Sequence, residues 1–229
     1  MSTFIPALRA SATPLIAEIK PWSPEHGDLL RGREALSIAR DYLAAGAACL
    51  SVTTGRWHKG NLALLERIAS QTDVPVLRKD FITRKAQLGE SQAAGASAVL
   101  LSAQILRRQE LTQLALSALE IGLTPFIEAD SRAQLDDWLL PPGCILAVCN
   151  RDIRQRETDD GTVGRSLDLY RAARACHPDL LVSASALRKP QDAGRAIESG
   201  FDAVLVGTAL LFEGTVAGNS ASFIAALKC

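Results

Sequence analysis

The chain has 229 residues, 48% of them apolar, and its 25 basic side chains balance 25 acidic ones. That gives material for one large core and, with no concentrated basic stripe, argues against a nucleic-acid or anionic-membrane partner. The N-terminal stretch MSTFIPALRASATPLIAEIK lacks the charged start and long apolar segment of a secretory signal, and no later apolar run approaches membrane-spanning length.

Thirteen residues precede Pro14, and they contain no convincing amphipathic helix. Beyond them, short apolar runs alternate with segments of helical spacing. PLIAEIK is followed by a helix at about Arg33 to Ala45, ACLSVTT by Asn61 to Gln71, VPVLRKD by Arg84 to Ala94, and SAVLLSA by Arg107 to Ile121. TPFIEA then precedes Ser131 to Trp138, ILAVCN precedes Leu167 to Cys176, LLVSAS precedes Pro190 to Ser199, and DAVLVGT precedes Ser220 to Lys228. The near-repeats AAGAACLSV, AAGASAVLL and ESGFDAVLV each set a glycine where a helix turns back into a strand.

Strict alternation with no break in composition predicts an α/β protein with a parallel sheet, one domain over residues 1–229 with 1–13 as a short leading segment. Eight units in this length favour a closed eight-stranded (β/α)8 TIM barrel. An open doubly wound sheet is the alternative, but no strand leads into a GxGxxG loop. Five cysteines without a CxxC pair and three scattered histidines offer no zinc spacing, so a reducing cytoplasm and no metal are expected.

Catalytic groups of such barrels gather at the C-terminal ends of the strands. Those ends carry Glu18 and Lys20, Thr53 and Thr54, Lys79 and Asp80, Ser102, Glu128, Asn150 and Arg151, Ser183 and Ser185, then Gly207 and Thr208. Lys79 ends an apolar run, and a strand buried on both faces has no place for an unpaired ammonium. Solvation of a barrel mouth would account for any one of these charges. Glu18, Lys20, Lys79, Glu128 and Arg151, converging from four strands, suggest instead an acid, a base and an anion clamp. The last strand ends in VGTALL, where backbone N–H groups after Gly207 suit a phosphate, with Ser23 and Ser185 as further donors; a tight turn would equally explain the glycine.

The blocks PLIAEIKPWSPEHGDL, LSVTTGRWHKGNLALLERI, VPVLRKDF, FIEADSRAQLD, NRDI and AVLVGTALL resemble, in order and spacing, the indole-3-glycerol phosphate synthase family. The resemblance runs from about Pro14 to Leu211. It implies ring closure of 1-(2-carboxyphenylamino)-1-deoxyribulose 5-phosphate with loss of carbon dioxide and water, without a cofactor. Carried over by position, Lys79 is the general acid, Glu128 the general base, and Lys20 with Glu18 the ion pair that orients Lys79. Arg151 faces the substrate carboxylate and Phe81 walls the aromatic ring; Asn150 and Ser183, from the strand ends and not from the resemblance, are added as candidate substrate contacts, although Asn150 does not replace the family's asparagine one residue earlier. Ser23, Ser185, Gly207 and Thr208 take the phosphate.

The chain also departs from that family. Cys149 stands where a functional asparagine is usual, Ala184 replaces a carboxylate, Ala186 replaces a phosphate-loop glycine, and Glu25 replaces a serine. The family's full N-terminal helical extension over the active site is not expected from the residues before Pro14. Trp22 and Trp57 offer aromatic cover or plain packing, and His26 and His58 lie in loops near the mouth. The run NRDIRQRETDDGTVGR reads as a solvated loop with possible lid duty. A paralogue acting on another sugar phosphate or aryl-amino ketose, or a weakly catalytic phosphate-binding protein, is the competing reading; the quaternary state is monomer or homodimer.

Overall fold

Every predicted apolar run becomes a strand, because each is bracketed by turn residues and is buried along its length, save for Lys79 at the end of its strand. The computed structural model describes residues 2–151 and 161–228. Strands β1 (Leu15–Ile19), β2 (Cys49–Thr53), β3 (Val76–Lys79) and β4 (Ala98–Ser102) are followed by β5 (Thr124–Ala129), β6 (Ile145–Cys149), β7 (Leu180–Ala184) and β8 (Ala203–Val206). Each pairs in parallel with its chain neighbours, and Leu15 to Ala17 of β1 also pair with Val204 to Val206 of β8, closing the barrel.

Alternation along the strands sorts side chains to two sides. Leu15, Ala17 and Ile19 pack outward into the layer between sheet and helices, whereas Ile16 joins Cys49, Leu77, Phe126 and Ile145 inside the barrel. The helices are α2 (Ala35–Ala45), α3 (Leu62–Ala69), α4 (Lys85–Ala93), α5 (Arg108–Glu120), α6 (Arg132–Leu135), α7 (Gly164–Ala175), α8 (Pro190–Glu198), α9 (Thr208–Leu211) and α10 (Val216–Ala226). Gly46, Gly95 and Gly200, the glycines of the three near-repeats, sit at φ +108°, +83° and +100°, a left-handed turn that other residues adopt at a cost.

The leading segment differs from expectation. Phe4–Ala10 form a helix, α1, whose Phe4, Ile5 and Leu8 are buried against the inward-facing apolar residues at the strand beginnings. Ser2 Oγ donates to the Ser97 carbonyl and Arg9 pairs with Asp179, both just ahead of strands, so α1 plugs the end of the barrel away from the strand C-termini. A seven-residue helix is marginal alone, and its amphipathic face shows only three apolar positions; tertiary burial stabilises it. α6 is likewise shorter than the predicted Ser131 to Trp138. Most of the run after Asn150, residues 152–160, lies outside the described residues, and the lid reading falls there.

Candidate active site

The inward register that places Ile16 in the core places Glu18, two residues on, at the mouth, with Lys20 just past the strand end. β3 brings in Lys79 and β5 brings in Glu128. Lys79 Nζ lies 3.3 Å from Glu18 Oε2 and 3.9 Å from Glu128 Oε1, and Lys20 Nζ lies 3.7 Å from Glu18 Oε1. Two ammonium groups and two carboxylates, all buried or nearly so, therefore form one charge-balanced cluster, and mutual pairing offsets the cost of removing each from water. Helix α2 supports it from behind, where the buried Tyr42 hydroxyl donates to the Glu18 carbonyl at 3.1 Å.

Lys79 is set in place by its neighbours in the sequence RKD. Alternation turns Arg78 outward, where it is 4% exposed and donates to Thr54 Oγ1, the Gln87 carbonyl, Ser91 Oγ and Asp80 Oδ2. Asp80 also accepts from the Thr54 hydroxyl at 2.7 Å. The end of β3 is thus tied to β2 and α4, which fixes the backbone from which Lys79 projects. Sequence reasoning missed Arg78; a cation one residue before a catalytic candidate in a buried strand is the signal that pointed to it.

The mouth has two lobes that share Lys79, Arg151 and Ser185. One, of about 310 Å³, is edged by Lys20, Arg188, Gly207 and Thr208. The other, of about 590 Å³, is walled by Trp22, Trp57, Phe81 and Leu100 and reaches Glu128 and Cys149. Trp57 stacks on Phe81 at 4.2 Å between ring centroids, so of the two roles open to the tryptophan, cover or plain packing, it forms a wall of the lobe.

Three predicted ligand residues point elsewhere. Asn150 and Ser183 are fully buried on the outward side: Asn150 Nδ2 donates to Ser183 Oγ and to the Ala184 and Ser185 carbonyls, its Oδ1 accepts from Ser166 N–H, and the Ser183 and Ser166 hydroxyls share a hydrogen bond. They bind α7 to β7 because adjacent strand residues face opposite ways. Ser23 is also fully buried, its hydroxyl oxygen accepting from His26 N–H to set a turn. Ser185, Gly207 and Thr208 do line the smaller lobe, together with Ala186. Ser185 and Ala186 both hold positive φ, +65° and +50°.

The loop after β1 forms a small hairpin, Trp22–Ser23 paired with Gly27–Asp28, with Glu25 and His26 near its tip. His26 stacks on Phe212 at 3.9 Å and Arg31 lies over the same ring, while Arg33 donates to the Leu29, Leu30 and Leu211 carbonyls. The hairpin is thereby fastened to α9 and reaches across to β6, where Arg151 Nη2 meets Glu25 Oε2 at 2.8 Å. Burial works to raise the Glu25 carboxyl, but the hydrogen bond and charge of Arg151 outweigh it and hold the group below its ordinary range. Cys149 is the reverse case: burial first, then the Glu128 charge, push its thiol up to about 12, which makes it an inert side chain.

No group of three or more His, Cys, Asp or Glu among the described residues could hold a metal, and no helix among them is long and apolar enough to cross a membrane. The barrel and its mouth define the class: a (β/α)8-barrel enzyme. A family model described as indole-3-glycerol phosphate synthase matches residues 2–222. The indole-3-glycerol phosphate synthases of Pyrococcus furiosus and Thermococcus kodakarensis are 39% and 38% identical over 204 residues, 89% of this chain and 88% of each relative. That of a Nocardioides species is 35% identical over 215 residues, 93% of this chain and 81% of the relative. The chain belongs to the indole-3-glycerol phosphate synthase family. An open form of tryptophan synthase from M. tuberculosis aligns over 100% of this chain and 99% of its own with a TM-score of 0.72 at 13% identity, a likeness of fold alone.

Proposed function

We propose that the protein is a carbon–carbon lyase of tryptophan biosynthesis that closes the indole ring of 1-(2-carboxyphenylamino)-1-deoxyribulose 5-phosphate. The ring carbon bearing the carboxylate attacks the sugar ketone, carbon dioxide leaves as aromaticity returns, and the new hydroxyl departs as water after loss of a proton. Indole-3-glycerol phosphate, carbon dioxide and water are the products.

The observation that carries this reading is the position of Lys79 Nζ, within 4 Å of carboxylates on two other strands and at the junction of an aromatic and a polar lobe. An ammonium there donates to the ketone oxygen as charge develops on it, and water exclusion strengthens that donation. Glu128, on the aromatic side, accepts the proton lost during dehydration. Glu18 and Lys20 orient Lys79, which is a positioning role for Glu18 and a substrate contact for Lys20.

The stacked Trp57 and Phe81 suit the aryl ring, and Arg151 suits its carboxylate. Ser185, Gly207 and Thr208 suit the phosphate, with Arg188 at the same edge. A cytoplasmic setting agrees with the buried free thiols Cys49, Cys144, Cys149 and Cys176.

Indole fluorescence on mixing the protein with that substrate tests the reaction. Turnover that falls about 10²-fold or more in Lys79→Ala is the expected result. Absence of turnover in the unaltered protein, or full turnover in the variant, would overturn the proposal.

A further inference from the structure

Among the described residues, the two lobes are lined by four Lys or Arg side chains, Lys20, Lys79, Arg151 and Arg188, against five carboxylates, Glu18, Glu25, Asp80, Glu128 and Glu213. A ligand carrying both a phosphate and a carboxylate therefore enters a mouth with no surplus of positive charge. Its carboxylate gains Arg151 only where the carboxylate now paired with that guanidinium withdraws.

Most of the five cannot. Glu18 and Glu128 are 2% and 1% exposed on barrel strands, and Asp80 is held by Arg78 and Thr54. Glu213 lies just past α9, at the rim of the smaller lobe. Glu25 is different: its side chain is 35% exposed at the tip of a hairpin, and it occupies Arg151, which with Lys79 is one of two cations common to both lobes. The backbone beneath it is fixed through His26 on Phe212, Arg33 on the Leu211 carbonyl and Ser23 on His26 N–H, so a rotamer change moves the carboxylate into water without moving the loop.

We propose that Glu25 is an internal competitor for Arg151: it stands in for a ligand carboxylate on that guanidinium, is displaced by a ligand that brings a carboxylate of its own, and so sets how tightly such ligands bind. Exchange of one carboxylate for another on the same guanidinium is nearly neutral in charge. A ligand without that group leaves the Glu25–Arg151 pair closed and gains nothing from the arginine. The inference deepens the function proposed above and rests on it for the identity of the carboxylate.

Anthranilate and aniline, titrated calorimetrically into the intact protein and into Glu25→Gln, read the exchange without any chemistry. A partly exposed ion pair contributes up to about 1 kcal/mol, so anthranilate should bind the variant roughly twofold to fivefold tighter, with aniline unchanged. Glu25→Asp, one methylene shorter, should fall between and serves if the glutamine variant does not fold. With the full substrate the gain should appear in KM rather than kcat. Anthranilate affinity that is unchanged or weaker in both variants, or a loss confined to kcat, would overturn the proposal. Absence of turnover by the unaltered protein would count against the reaction alone, since the anthranilate titration would still report the exchange.

Discussion

Gly207 and Glu18 approach so closely across the seam between β8 and β1 that a Cβ on the glycine would lie 2.5 Å from Glu18 Oε1. Gly207 has φ −125° and ψ −84°, and beside Glu18 there is no space for a Cβ. Gly207→Ala should push Glu18 off Lys79 and Lys20. Displacement of a positioning group by about 1 Å costs on the order of 10²-fold in kcat/KM, and steady-state kinetics on a variant shown to melt cooperatively would check it. Wild-type kinetics from Gly207→Ala would mean that Glu18 has room to yield.

Asn150→Ala should destabilise the fold and not primarily the ligand complex. The substitution leaves Ser166 N–H and the Ser185 carbonyl without the side-chain amide that now joins them, while the Ala184 carbonyl keeps the residue-150 backbone N–H. Buried groups stripped of a partner cost about 1–3 kcal/mol, readable by urea denaturation. A rise in KM at unchanged stability would instead return Asn150 to the substrate site.

Ala186→Gly should stabilise the protein by about 1 kcal/mol. Ala186 holds φ +50° directly after Ser185 at +65°, a conformation in which a Cβ is strained. The gain is limited by the greater freedom of glycine in the unfolded chain. Thermal melting gives the sign; a lower melting temperature would show that the alanine methyl makes up the strain through packing.

Alkali should weaken the fold from about pH 9 upward. Burial pushes the Cys144 and Cys149 thiols up to about 12, from an ordinary value of 9.0. Folded-state values above the unfolded ones mean that the unfolded chain loses protons first. The contribution of these thiols is complete below about pH 9 and is lost as pH rises towards 12. Denaturation midpoints measured from pH 7 to 11 should fall above pH 9, and replacing Cys144 and Cys149 by alanine should flatten that fall. Glu25, held below its ordinary range, contributes stability that is lost only as pH drops below about 4.5, so it adds no slope near neutrality.

All eight strands were legible in the sequence because parallel strands covered on both faces read as continuous apolar runs, and the charges that end them mark the mouth. Helix α1 was not legible: Phe4, Ile5 and Leu8 are too few positions for a period, and only the barrel floor they cover gives them meaning. For the site, spacing carried Glu18, Lys20, Lys79 and Glu128, which the fold brings within reach of one another. Spacing misled at Asn150, Ser183 and Ser23, because being near a strand end does not say which way a side chain faces. Glu25 escaped the initial set of site residues since its partner Arg151 is 126 positions away, a distance that no local pattern spans.

The pairing of Leu15 to Ala17 with Val204 to Val206 also bears on how the protein is made. Synthesis runs from the N-terminus, so β1 leaves the ribosome with one flank unpaired until β8, almost 190 residues later, has followed. An unsatisfied strand edge of that kind invites pairing with other chains. Translation products that stop before Ala203 are thus the species in which aggregation, and demand for chaperones, should concentrate.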